Sequence, residues 1–335
     1  LSLRRALLLL FALLLLVAAG VSAWAWHAYE RPLPMRAERV EFRIAPGATA
    51  RSIARQLQAA GIDVNETVFA VAARYAKIAQ SLRAGRYELT RGTSLHQLLD
   101  KLRAGETLRE RFTIVEGWTV RDLRTALSAH PDLRQDSAAM TESQLLRAIG
   151  ASEPQAEGLF APDTYVFDAG NSDLDILRQA YRSQLAILQR AWESRAASLP
   201  YESAYQALIM ASIVEKETGQ SGERSRIAGV FVNRLRRGML LQTDPSVIYG
   251  LGERFDGSLR KRDLVTDGPY NTYTRAGLPP TPIALAGRAS VEAALQPEPT
   301  RDLYFVARGD GTSQFSETLD QHNRAVTRYQ LGGRR

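Results

Sequence analysis

The feature that most constrains this chain is the uncharged apolar run from Ala6 to Trp26, directly after Arg4 and Arg5. As a helix rising about 1.5 Å per residue it spans roughly 30 Å, the thickness of a bilayer's hydrocarbon core. Trp24, Trp26 and Tyr29 gather at its far end, where aromatic side chains favour a membrane–water interface. The paired arginines before the run predict a single-pass helix with a cytoplasmic N-terminus and the rest of the chain outside. A cleaved signal peptide is the competing reading, because Val21-Ser22-Ala23 satisfies a small-residue cleavage rule. The anchor is preferred because the apolar run continues past that point. The leading Leu1 fits a non-Met start codon or a trimmed chain.

The 335 residues have room for one large or two ordinary domains. The absence of cysteine excludes disulfides, thiolate catalysis and cysteine-ligated metals. A net charge of +7 raises the question of an anionic partner. The arginines, however, are dispersed through helical stretches together with Glu and Asp, as on solvated helix faces. Export across a membrane also argues against nucleic acid.

After the apolar run, Arg31-Pro32-Leu33-Pro34 predicts a stiff extended spacer. A pattern then recurs three times: Gly47-x-Thr49-x-x-x-Ile53-x-x-x-Leu57, Gly92-x-Ser94-x-x-x-Leu98-x-x-x-Leu102 and Gly117-x-Thr119-x-x-x-Leu123-x-x-x-Leu127. In each, glycine turns the chain, a hydroxyl residue caps a helix, and two aliphatics face a core. Strand-like runs, Val40 to Ile44, Arg86 to Leu89 and Arg111 to Val115, precede the three copies, and Asn65 introduces a helix from Val68 to Ile78. The irregular spacing argues against a solenoid. Pro131 ends the third helix, and one short helix is expected between Ser137 and Ser152. Beyond Pro154 the pattern gives helices over Asp173 to Ala197, Ser203 to Thr218 and Arg224 to Arg237. A loop-rich stretch, a hairpin around Gly309-Asp310-Gly311 and a helix capped by Thr318 complete the chain. The fold class is therefore α+β, divided as residues 1–30 (start and anchor), 31–38 (linker), 39–153 (small module and connection) and 154–335 (large domain).

No G-x-S-x-G elbow, phosphate-binding loop or H-E-x-x-H motif is present, and four histidines give a metal site or triad little material. Carboxylate chemistry remains. Leu208, Ala211, Ser212 and Glu215 share one helical stripe, and Gly219 ends the helix soon after. An acid so placed faces desolvation and the negative end of the helix dipole, both of which favour a retained proton. Glu217 points about 200° away around the helix and is expected to be solvated. On pattern alone, a surface acid paired with Arg or Lys is the commoner situation for Glu215. Two loops are rich in sugar-compatible groups: Leu241 to Gly250, with Gln242, Thr243, Asp244 and Tyr249, and Tyr270-Asn271-Thr272-Tyr273 before Gly277-Leu278-Pro279-Pro280. Plain turn chemistry accounts for both equally well. His322-Asn323 and the Glu157 to Tyr165 segment are weaker candidates, more readily read as surface and turn residues.

Taken in order, Glu116-Gly117-Trp118-Thr119, Phe160 to Tyr165, Ala211 to Thr218 (ASIVEKET), Asn233-Arg234-Leu235, Leu241 to Gly250 (LQTDPSVIYG), YNTY at Tyr270 and GLPP at Gly277 resemble the YceG-like (MltG) family of endolytic murein transglycosylases. The likeness continues to Tyr304 to Ala307 (YFVA) and His322-Asn323. It implies a membrane anchor, a LysM-like module and a catalytic domain whose glutamate, the first of the VEKE stretch, maps to Glu215 near the end of its helix. It further implies cleavage of the β-1,4 bond between N-acetylmuramic acid and N-acetylglucosamine in nascent glycan, leaving a 1,6-anhydromuramyl end without hydrolysis. Ser212, Gln242, Asp244, Tyr249, Asn271 and Tyr273 would then hold the strand. No metal or organic cofactor is implied. Penicillin-binding protein synthases are the expected partners, and the bacterial inner membrane, with the bulk of the chain periplasmic, the expected location. A non-catalytic peptidoglycan-binding scaffold is the alternative.

Overall fold

Side-chain caps written into the sequence mark seven helix starts among the described residues. The computed structural model describes residues 3–45, 47–77, 84–217 and 219–331. Leu1, Ile78, Thr218 and the side chains of Arg4 and Arg5 lie outside the described residues. The chain forms two compact units: one comprises residues through Glu110 with Asp132–Arg134 and Val166–Asn171, the other Arg111–Pro131, Gln135–Tyr165 and Ser172 onward. The expected boundary lay near Pro154; by contact, residues 135–153 pack with the larger unit.

The smaller unit begins with α1 (Leu3–Glu30), the one helix among the described residues long and apolar enough to cross a membrane. It continues through β1 (Arg39–Ile44), α2 (Ala50–Ala59), α3 (Glu66–Tyr75), β2 (Gly85–Thr90) and α4 (Leu95–Ala104). The strands pair antiparallel from Arg39 opposite Thr90 to Ile44 opposite Gly85. Strand alternation turns Val40, Phe42 and Ile44 inward. They meet Ile53, Leu57, Phe69, Tyr87, Leu98 and Leu102 in one core. The predicted turn-and-cap pattern holds here: Thr49 accepts from the Ser52 amide, and Ser94 and Gln97 form a reciprocal capping box. Gly47, Gly92 and, in the larger unit, Gly117 have φ of 71°, 96° and 78°, which explains glycine at the same place in all three copies. Asn65 caps α3 as expected.

The proline-bearing segment is extended but is not a free spacer. The Leu33 amide donates to Thr93 O at 2.9 Å, the Asp63 amide to Pro34 O at 2.9 Å, and Leu33 is buried in the core.

β3 (Arg109–Thr113) leads to α5 (Val120–Ala129), which Thr119 and Asp122 cap reciprocally, and to α6 (Glu142–Ile149). β3 pairs with β4 (Thr164–Asp168), which begins at the end of the Glu157 to Tyr165 segment expected as a turn. α7 (Asp173–Glu193), α8 (Ala204–Glu217) and α9 (Arg224–Arg236) follow close to their expected limits. α10 (Asp244–Leu251), α11 (Lys261–Val265) and α12 (Arg288–Leu295) are helices where loops were expected. Pro245 sits in the first turn of α10, where a proline costs no hydrogen bond. α12 packs against α7, α8 and α9, and its Ser290, Val291, Ala294 and Leu295 are fully buried. The hairpin of β5 (Tyr304–Ala307) and β6 (Ser313–Ser316) and the Thr318-capped α13 (Leu319–Val326) end the unit as expected.

Candidate active site

Helix α8 carries both candidate acids, and every residue from Ala207 to Val214 is buried. A helix buried on all sides has no single apolar stripe, so the spacing that singled out Glu215 does not by itself choose a face. Glu215 and Glu217 leave its last turn in different directions.

Glu215 is closed in. Its side chain is 5 % exposed; one oxygen accepts the Gly287 amide at 2.9 Å and the other lies 3.7 Å from the Arg224 guanidinium. Arg224 also reaches Glu116, at 3.7 Å. Ser212, expected beside the glycan, is fully buried. Its hydroxyl donates to Ile209 O at 2.7 Å and accepts the Ile283 amide at 2.9 Å, so it fastens α8 to the chain entering α12 and contacts no solvent.

Glu217 is not the solvated acid that its wheel position predicted. It opens onto a groove of about 620 Å³ lined also by Arg234, Gln242, Asp244, Tyr273, Tyr304 and His322. The Thr243 hydroxyl donates to it at 2.5 Å. Burial raises the proton affinity of Glu217; the Thr243 hydrogen bond opposes this, the charge of Asp244 adds to it and Arg234 offsets part, with a raised pKa as the net result. The Tyr273 hydroxyl donates to Asp244 at 2.5 Å.

The groove wall is built by Arg234. Its guanidinium donates to Leu303 O at 2.7 Å and Leu241 O at 2.8 Å, and lies 5.1 Å from the Tyr304 ring centroid. That clamp joins α9 to the start of β5 and to the Leu241 turn, where Gln242 adopts a left-handed φ of 51° and its amide donates to Thr272 O. Tyr304 stacks on His322 with centroids 5.2 Å apart. Burial, with Arg234 adding, lowers the His322 pKa and keeps the ring neutral at pH 7; its Nδ1 has no partner among the described residues.

Of the expected binding residues, Gln242, Asp244 and Tyr273 therefore assemble around Glu217. Tyr249 and Asn271 do not line this groove. Tyr249, on α10, donates its hydroxyl to Glu157 at 3.1 Å and sets its ring edge-on to Tyr270. Asn271 is 4 % exposed, and its amide nitrogen donates to three carbonyls, those of Asp263, Leu264 and Thr266, as an internal strut of the loop. Sequence reasoning missed Glu217 and Arg234. The available signal was Arg234 itself, just after the apolar run from Ile227 to Val232 and in one of the ordered motifs.

Glu157 is a second buried carboxylate. It accepts the Val120 amide at the start of α5 as well as the Tyr249 hydroxyl, and burial pushes its pKa to about 7. Among the described residues no group of three or more acidic or histidine side chains gathers to hold a metal.

The profile of the YceG-like family matches residues 42–328. An endolytic murein transglycosylase of Bacillus subtilis is 33 % identical over 307 residues, covering 87 % of this chain and 84 % of its own. One from Streptococcus pneumoniae is 26 % identical, covering 94 % of this chain but 63 % of its own length. A crystal structure of a YceG-like protein from Listeria monocytogenes superposes with a TM-score of 0.55 at 30 % identity, over 86 % of this chain and 98 % of the other.

Proposed function

The chain belongs to the YceG-like family, and from that premise we propose that it is an endolytic murein transglycosylase held at a membrane by α1. Its substrate is the peptidoglycan glycan strand, cut at the β-1,4 bond following N-acetylmuramic acid with formation of a 1,6-anhydro end.

The observation that carries the assignment of the acid is the setting of Glu217: partly buried, hydrogen-bonded by Thr243, and facing a groove with Asp244, Tyr273 and a Tyr304–His322 stack. This reading moves the acid from Glu215, the sequence-based expectation, by two positions. A general acid must arrive protonated, and the raised proton affinity of Glu217 serves that need. Glu217 gives its proton to the glycosidic oxygen as the bond to C1 breaks. The resulting carboxylate takes the proton of the muramyl C6 hydroxyl while that oxygen bonds C1. The carboxyl is regenerated and no water is consumed, so the second carboxylate that hydrolytic glycosidases use to activate water or form a covalent intermediate is not required. The exposed Gln242 offers hydrogen bonding to N-acetyl sugars. Glu215, held by Gly287 and Arg224, braces the last turn of α8 in this scheme.

In this reading the part of the smaller unit from β1 to α4 is the LysM-like module, the larger unit is the transglycosylase domain, and wall synthases of the penicillin-binding class are its partners. With α1 anchored and its N-terminus cytoplasmic, a reporter fused after Arg335 is active outside the cytoplasm; activity only inside defeats the scheme.

The test is digestion of uncross-linked glycan strands by wild type, Glu217→Gln and Glu215→Gln, with mass analysis of products. Anhydromuramyl ends lost with Glu217→Gln, by roughly 10²–10⁴-fold, and retained with Glu215→Gln support the assignment. The reverse pattern returns the acid to Glu215. Reducing ends make the protein a hydrolase, with Asp244 the second carboxylate to examine, and binding without cleavage by wild type supports the scaffold alternative.

A further inference from the structure

Helix α3 is apolar on two faces. Phe69 and Ala73 point into the core of the smaller unit and Val68 and Ala72 pack at its edge, while Val71 and Tyr75, one turn apart, continue that apolar surface outward, so that Val68, Val71, Ala72 and Tyr75 run at i, i+3, i+4 and i+7. On that stripe Val71 is 51 % and Tyr75 86 % exposed. A short helix of a water-soluble surface gains nothing by presenting valine and tyrosine in this register.

The stripe faces the outer end of α1. Together they line an open apolar groove of about 920 Å³ that includes Trp24, Trp26, Tyr29, Val68, Val71 and Tyr75. Its lining reaches back to Ser22, about 6 Å along the helix from Trp26. These are residues that length and composition assign to the membrane-crossing run. No slack separates this part of α1 from the unit: Tyr29 stacks on His96 of α4 at 5.1 Å, and the Arg31 to Pro34 segment is bonded to the unit's own backbone. The single acidic residue lining the groove, Asp100, is paired with His96 and Arg103. Arg103 also lines the groove, and Arg74 lies in the same last turn of α3 as Tyr75.

We propose that the exposed face of α3 is a lipid-docking surface, seated in the headgroup–acyl boundary of the bilayer that α1 crosses. The inference rests on the reading of α1 as a membrane anchor. An amphipathic helix in that boundary lies about 5–10 Å deep, which matches the level at which α3 meets α1. The smaller unit is thus fixed on the membrane surface by two elements, a helix through the bilayer and a helix in its interface.

The chain has no cysteine, so single-cysteine labelling is unambiguous. Full-length protein in phosphatidylethanolamine–phosphatidylglycerol vesicles is labelled with an environment-sensitive fluorophore at Val71→Cys, Tyr75→Cys, Leu14→Cys in the middle of α1, or the exposed Arg55→Cys. The expected result is quenching at 71 and 75 by lipids spin-labelled near the headgroup, with iodide quenching roughly threefold weaker than at 55, as for a partly immersed helix. Iodide quenching at 71 and 75 equal to that at 55, with position 14 quenched by lipid, overturns the docking surface and leaves the anchor standing. Shielding of 71 and 75 from both quenchers also overturns it, in favour of a protein cover. If position 14 itself is not quenched by lipids spin-labelled deep in the acyl chain, the anchor reading fails and the proposal fails with it.

Discussion

Replacing Glu157 by glutamine should flatten the pH dependence of stability of the larger unit. The Glu157 carboxyl is 6 % exposed, and its pKa is displaced by burial from 4.5 to about 7 against the hydrogen bonds from Val120 and Tyr249. Below pH 4.5 native and unfolded chains both hold the proton, and the group contributes no slope. Between 4.5 and about 7 the unfolded chain has released a proton that the native chain still binds, so stability falls as pH rises. Above about 7 both forms are ionised and the loss is constant. At about 1.4 kcal/mol per tenfold change in proton affinity, this displacement is worth roughly 3 kcal/mol. For a domain of this size that corresponds to about 6–12 °C in Tm. The assay is thermal unfolding of wild type and Glu157→Gln from pH 4 to pH 8, taken as a difference so that titrations common to both cancel. The variant, neutral throughout, should gain on wild type by that amount as pH rises. Parallel curves would refute the argument, and would mean that the Val120 and Tyr249 donors, not burial, set the ionisation of this carboxyl.

Two further perturbations test the packing around α8 and α9. Ser212→Ala strands the Ile283 amide and should cost about 1–3 kcal/mol, seen as a lower Tm, while kcat/KM well below the transition stays that of wild type. Loss of activity at unchanged Tm would put Ser212 back in the binding site. In Gly229→Ala the added Cβ would lie 2.6 Å from Glu298 O and 2.9 Å from Thr300 Cγ2. Such overpacking costs about 1–3 kcal/mol, and an unchanged urea midpoint would contradict the close approach of that segment to α9.

What was legible in the sequence follows the range of the interactions involved. The three glycine–hydroxyl–aliphatic patterns could be read because a cap and its turn lie within four residues, and Thr49, Ser94 and Thr119 act as the pattern requires. The limits of α7, α8 and α9 were equally local. β4 was missed because its partner β3 lies some fifty residues away and neither strand exceeds five residues. α12 was missed because its eight residues are mostly small, and Arg288 and Glu292 alone mark its exposed face. Under the proposed function, the acid is the instructive case. The helical wheel correctly separated Glu217 from Glu215, but a wheel gives angles and not neighbours. The wall opposite Glu217 comes from residues near 242, 273, 304 and 322, and their convergence is a property of the tertiary fold. Ser212 and Asn271 misled for a related reason: hydroxyl and amide groups suited to sugars are equally suited to buried backbone.

The left-handed turn at Gln242 bears on how this protein can be improved. A residue other than glycine held at φ 51° stores strain, on the order of 1–2 kcal/mol, and a glycine would adopt the same backbone without it. Stability-driven directed evolution should therefore find Gln242→Gly early and rank it highly. Under the proposed function, that gain removes a side chain from the wall facing Glu217. Screens for hardier variants should carry an activity readout from the first round, because at this position endurance and function are selected in opposite directions.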